Sequence, residues 1–200
     1  MDTCEQLKAI KQSFRLLMNG ETSRSMREKG SLYKINWGIP LHELRQMSTA
    51  YPKDYDLAIA LWKEDIRECK VLATLLMPPE QMTPELMDVW MEQTHSLEMV
   101  EVAALHLYQH LDFAPVLAYE WLAGDDTLRQ VCAYHILSRF FMKGCEPNER
   151  GINELVDQAL AALQGDDLPV KHAAHNCLQR LAQLGLPYEL LVEKALNTIR

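Results

Sequence analysis

Apolar residues fall at three- and four-residue intervals along most of this chain, the spacing of one face of a helix. Leu7, Ile10, Phe14, Leu17 and Met18 form the first such stripe and predict a helix over 5–18, with Gly20 as its stop signal. Residues 29–40, KGSLYKINWGIP, are irregular. LHELRQMSTAY, DYDLAIALW and IRECKVLATLLM follow as short helical segments up to the break at Pro78-Pro79. Thr83-Pro84 reads as an N-cap with proline at the first helical position, opening ELMDVWMEQT. No run sustains the period of two that a half-buried strand requires, so the pattern predicts an all-α chain.

The helices repeat. ALW at Trp62, DVW at Trp90 and YEW at Trp121 each end a segment and precede a polar turn and a longer apolar helix, at spacings of 28 and 31 residues. GDDTLRQVCAYHILSR from Gly124 and GDDLPVKHAAHNCLQR from Gly165 superpose at an offset of 41, matching Leu137 to Leu178 and Arg139 to Arg180. The Asp-Asp pair supplies a cap and favourable charge at a helix N-terminus. One helix pair cannot bury its own apolar face, so stacked antiparallel pairs are expected, a curved α-solenoid. Its second helices, about 66–77, 97–110, 128–142 and 168–184, would line the concave side.

Composition narrows the function. The chain has 200 residues, 48% of them hydrophobic and 24% charged, enough to build a packed core. No stretch approaches the roughly 20 apolar residues of a membrane span. The start, MDTCEQLKAIK, has no apolar signal core, and the five cysteines show no CxxC spacing, so free thiols and a cytoplasmic setting are expected. The absence of GxGxxG and GxxxxGK[ST] argues against a dinucleotide or P-loop enzyme.

Charge is unevenly placed. The net charge is −8, yet residues 1–45 carry eight Lys/Arg against five Asp/Glu. Between Lys70 and Arg129 there are ten acids and no Lys or Arg. A nucleic-acid interface would have to be a local basic strip within an acidic chain. The expected second helices offer one in Arg67, Lys70, Arg129, Arg139, Lys171 and Arg180. They also carry five histidines. His106 and His110, four apart, have a spacing that can chelate a metal, as do combinations of Cys132, His135, His172, His175 and Cys177. No HExxH accompanies them, and no metal or other cofactor is expected. Tyr33, Lys34 and Trp37 mix aromatic and basic residues in a loop that could meet a nucleic-acid backbone.

Gly38-Ile39-Pro40 with Arg45, Leu61-Trp62, Arg67-Glu68 and Leu72-Ala73 together resemble the DNA alkylation repair family of HEAT-like repeat proteins. The resemblance extends from about residue 5 to 195 in helix count and spacing. It implies a single HEAT-like repeat domain over 1–200, entered through an N-terminal helix and loop over 1–40, that acts as a monomer and holds duplex DNA in its concave face. Active members excise cationic N3- or N7-alkylated purines. The sugar then develops oxocarbenium character that a carboxylate stabilises, while indole faces attract the cationic nucleotide and an arginine holds the phosphate. The resemblance places Glu101 at the position of the catalytic aspartate, with Glu98 a second acid nearby, and Leu97 at the position of an indole. Arg129 is the candidate phosphate arginine, although an unshifted match puts Gln130 at that position; Lys171 or His172 takes the place of a lysine, and Asn176 that of a second tryptophan. These departures imply weak or lost excision. The alternative from a different class is a non-enzymatic scaffold whose groove binds a protein or peptide.

Overall fold

The computed structural model describes residues 2–199. Among them are twelve α-helices and no strand; the sole β pairing is an isolated parallel bridge between Ile35 and Ile66. The chain forms two compact units, Met1–Thr83 and Pro84–Arg200, described separately below.

The first unit contains α1 (Thr3–Leu17), α2 (Gly20–Glu28), α3 (Leu41–Ser48), α4 (Tyr55–Trp62) and α5 (Arg67–Leu76). The first stripe buries Ile10 and Phe14 and places α1 against α4. Gly20 does not stop a helix but begins one. The Asn19 side chain accepts from the Thr22 amide at 3.0 Å, and that cap opens α2 where glycine alone signalled an end. α2 buries no side chain of its own; Ser23 Oγ donates to the Asn36 carbonyl at 2.6 Å and so fastens it to the irregular loop.

That loop is held by charge. Arg67 and Glu68, at the start of α5, are 2% and 0% exposed. Glu68 accepts from the Trp37 amide at 3.1 Å and the Ile39 amide at 3.3 Å. Arg67 donates to the Ile39 carbonyl at 2.9 Å and to Glu68 Oε1 at 3.1 Å. Lys70 is also buried, donating to the Trp62 carbonyl at 3.2 Å with its ammonium 4.2 Å from the Trp62 ring centroid. Arg67 and Lys70 therefore leave the expected groove set: nearly every residue of α5 is buried, and the two cations serve the interior. Gly38 completes the arrangement at φ 70, where a Cβ would lie 2.3 Å from the Asn19 carbonyl oxygen and 2.5 Å from the Ser23 nitrogen.

The second unit contains α6 (Pro84–Glu92), α7 (Leu97–His106), α8 (Ala114–Leu122), α9 (Thr127–Met142), α10 (Glu149–Gln164), α11 (Leu168–Ala182) and α12 (Leu186–Asn197). α7, α9 and α11 pack side by side as one layer, and α8, α10 and α12 as another. α8 packs on α9 and α10 on α11, as the repeat predicts. In both GDD segments the second aspartate is the cap: Asp126 accepts from the Arg129 amide at 2.8 Å and Asp167 from the Val170 amide at 3.1 Å. The Thr127 hydroxyl donates to Asp167, joining the two corresponding helix starts. Trp90 and Trp121 are buried in this unit's core.

Removing the charge of Glu68 leaves the Arg67 guanidinium buried without its carboxylate, a loss of about 3–5 kcal/mol. Glu68→Gln is expected to lower the urea midpoint accordingly, with an unchanged m value. Gly38→Ala adds a strained φ of about 1–3 kcal/mol to a backbone clash, and its thermal midpoint should fall by about 2–4 °C for each kcal/mol of destabilisation. Wild-type midpoints in both variants would refute this account of the loop.

Candidate functional site

Three helices of the second unit contribute residues at four-residue intervals to one pocket of about 310 Å³. α7 supplies Leu97 and Glu101, α9 supplies Val131 and His135, and α11 supplies Leu168, His172 and Asn176, with Pro169 and Ala173 between them. Residues four apart lie on one helix face, so three packed helices present three parallel rows. Of the positions that the resemblance marks, Leu97, Glu101, His172 and Asn176 meet here, whereas Glu98, Arg129 and Lys171 do not line the pocket.

The pocket's electrostatics centre on Glu101. Its side chain is 60% exposed, and the partial burial raises its carboxyl above the usual range; Glu98 one turn earlier on α7 raises it further, and Arg139 opposes both. His135 Nε2 lies 3.8 Å from Glu101 Oε1. Burial, then the nearby Arg139 charge, push the imidazole below its ordinary value. At neutral pH His135 is therefore neutral. Arg139 lies one turn beyond His135, and Arg180 one turn beyond Asn176, so both continue the pocket's rows. Arg139 is half-buried; Arg180 is exposed and donates to Gln183 at 2.9 Å. Lys171, half-buried, immediately precedes His172.

Other sequence candidates fall elsewhere. Arg129 pairs with Asp88 of α6, and its guanidinium carbon lies 5.4 Å from the Trp121 ring centroid, so it is committed to bracing α9 and α6. His106 ends α7 whereas His110 lies in a separate 3-10 turn, so the pair does not share one helix face. Among the described residues no group of three or more His, Cys, Asp or Glu could hold a metal. Cys132 and Cys177 are buried, and burial pushes the Cys177 thiol up to about 12, which makes it a packing residue rather than a nucleophile. Trp37 belongs to the first unit: its indole lines a different pocket, and Nε1 is enclosed without a hydrogen-bond partner. Lys34 is anchored through its amide to Asp65 at 3.2 Å.

Sequence reasoning missed His135 as a pocket residue. The i+4 row through Val131 and Arg139 was the available signal. The pocket contains one carboxylate and two imidazoles, and no indole lines it. It can offer negative charge to a developing cation, but no flat π face on which to hold a cationic base.

Comparisons with known proteins bear on the family and the fold. A family model described as DNA alkylation repair enzyme matches residues 10–188. No curated protein matches the sequence. A solved structure described as "a new family of proteins related to the HEAT-like repeat DNA glycosylases with affinity for branched DNA structures" superposes with a TM-score of 0.84 at 16% identity, covering 96% of this chain and 83% of that one. That likeness establishes the HEAT-like repeat fold.

The depressed His135 has a measurable consequence. As the pH falls through about 6.5 the unfolded histidine takes up a proton that the folded one resists, so stability drops on acidification. Glu101 runs the other way: its raised carboxyl makes ionisation costly in the folded state, a cost relieved at lower pH. The stability advantage of wild type over His135→Gln, followed by urea unfolding, is expected to shrink from pH 7.5 to 5.5. A constant or growing difference would contradict the burial of a neutral imidazole.

Proposed function

The chain belongs to the DNA alkylation repair enzyme family, and on that premise we propose that it binds DNA on the α7–α9–α11 face of the second unit, with base excision weak or absent. The observation that carries this reading is the composition of the pocket. The residues that the resemblance assigns to catalysis line it together, with Leu97 and Asn176 at the positions it gives to indoles and Glu101 the carboxylate among the lining residues. Glutamate reaches about one methylene further than aspartate, and a misplacement of about 1 Å in a positioned group can cost on the order of 10²-fold in rate. Without indole faces, the cation–π attraction of about 0.5–2 kcal/mol per ring is also absent.

The electrostatic term for DNA comes from Arg139, Lys171 and Arg180. Arg67, Lys70 and Arg129 are spent inside the fold, so few phosphates are engaged and affinity is modest. The affinity for branched DNA described for the structural relative supports a substrate of that kind. A junction brings phosphates from several strands together, which lets a small basic patch engage more charge than a linear duplex offers.

The experiment is a binding titration with a four-way junction and a linear duplex over a range of salt, beside excision of 7-methylguanine by wild type, Glu101→Gln and Glu101→Asp. Tighter junction binding is expected. The log–log salt slope should become shallower in Lys171→Glu and Arg180→Glu, by about 0.9 for each phosphate that the variant no longer neutralises. Wild type is expected to release base no faster than spontaneous depurination. Release above that rate, abolished in Glu101→Gln, would overturn the absence of excision. Binding that ignores salt and both charge reversals would remove the DNA face and favour a protein-binding scaffold.

A further inference from the structure

The first unit has its own pocket, of about 300 Å³, between α1 and the irregular loop. Lys8, Lys11, Gln12 and Arg15 line one side, and their spacing of three and four places them on a single face of α1. Trp37 stands in the wall with Ile35 and Ile66, the two residues joined by the isolated bridge. Lys11 is bound to Glu64 at 2.8 Å. Lys8 and Arg15 are exposed and make no side-chain hydrogen bond or ion pair among the described residues. The backbone that carries the ring is fixed, because the Trp37 amide donates to Glu68 at 3.1 Å and its carbonyl accepts from the Asn19 amide at 2.9 Å. The buried charge pair of α5 thus anchors the main chain from which an indole projects beside two uncommitted cations.

From this geometry we infer that the first unit carries a second nucleic-acid site, one that takes an unpaired nucleotide, its base against the Trp37 ring and its phosphate between Lys8 and Arg15. Aromatic platforms beside cations are how single strands are gripped without sequence preference. A base inside an intact duplex is stacked on both faces and cannot reach a ring in a pocket wall, so the ligand is unpaired DNA or RNA. An acidic peptide would satisfy the cations but leave the ring and the isoleucine floor without a flat partner. The site shares with the function proposed above only the premise that the ligand is nucleic acid. It uses other residues, in the other unit.

Intrinsic fluorescence isolates the site. Trp62, Trp90 and Trp121 are 3%, 1% and 7% exposed, so quenching by a bound base reports Trp37. The full chain is titrated with an eight-residue thymidine oligonucleotide, following tryptophan emission and the anisotropy of a labelled copy. Quenching is expected, and the Lys8→Glu/Arg15→Glu double variant, altered only at exposed positions of α1, should bind about tenfold more weakly or worse. Trp37→Phe should retain binding by anisotropy, whereas Trp37→Ala should lose about 5- to 100-fold. Lys171→Glu and Arg180→Glu should leave the oligonucleotide titration unchanged, so a failure of the second-unit DNA face shows separately, in the junction titration alone. Binding without quenching, equal binding by the double variant, or equal competition by inorganic phosphate at matched ionic strength would overturn the nucleotide site.

Discussion

The second helix of each pair carries much of the core, and most of what this protein can do follows from the faces that this burial leaves open. In α9, Val131, Cys132, Ala133, Tyr134, Ile136, Leu137 and Phe141 are all buried, against α7, α8 and α11. What remains open on each helix of this layer includes a row with a four-residue repeat that faces its neighbours' rows. Neighbouring rows in one layer meet. The pocket formed by Leu97 and Glu101, Val131 and His135, and Leu168, His172 and Asn176 is that meeting, a product of packing before it is a product of function. α5 shows the limiting case. Its interior reaches round to the charged residues, and no strip is left for a ligand.

Burying Arg67 and Glu68 costs desolvation that their mutual attraction alone offsets poorly, so their value lies in the backbone groups they satisfy. Two amides and a carbonyl of the 37–39 loop find partners there, in a segment with no regular structure to supply them. Gly38-Ile39 and Arg67-Glu68 therefore belong to one device, though they lie about thirty residues apart in sequence. Gly38-Ile39 and Arg67-Glu68, part of what the resemblance rests on, are thus residues that hold a loop, and their role is structural.

The helices were legible because their periodicity is a local property, and the capping aspartates because a cap is local too. α9 and α11 begin where the GDD segments place them, at Thr127 and Leu168. Gly20 misled because a glycine's meaning depends on its neighbour: Asn19 accepts from the Thr22 amide and turns an expected stop into a start. The site was half legible. Glu101 and Asn176 came from resemblance and do share a pocket, but burial is a tertiary property. Nothing in the spelling of α5 distinguishes an arginine facing solvent from one donating to Ile39, or shows that Arg129 is already paired with Asp88.

That commitment of cations has a functional edge. An acidic chain that buries Arg67 and Lys70 and ties Arg129 to Asp88 keeps cations beside each pocket: Arg139, Lys171 and Arg180 near that of the second unit, Lys8 and Arg15 on α1 of the first. A surface that encloses a long stretch of regular duplex needs continuous positive charge along the backbone. Two small basic sites, one beside a carboxylate pocket and one beside a fixed indole, suit nucleic acid whose backbone departs from the regular helix and whose bases are partly unpaired. A pocket without an indole offers no flat π face for a cationic base, while the packing of α7, α9 and α11 that forms its rows does not depend on one. On the function proposed above, the fold's contribution is the placement of those rows and of the cations beside them, independent of whether a base is excised.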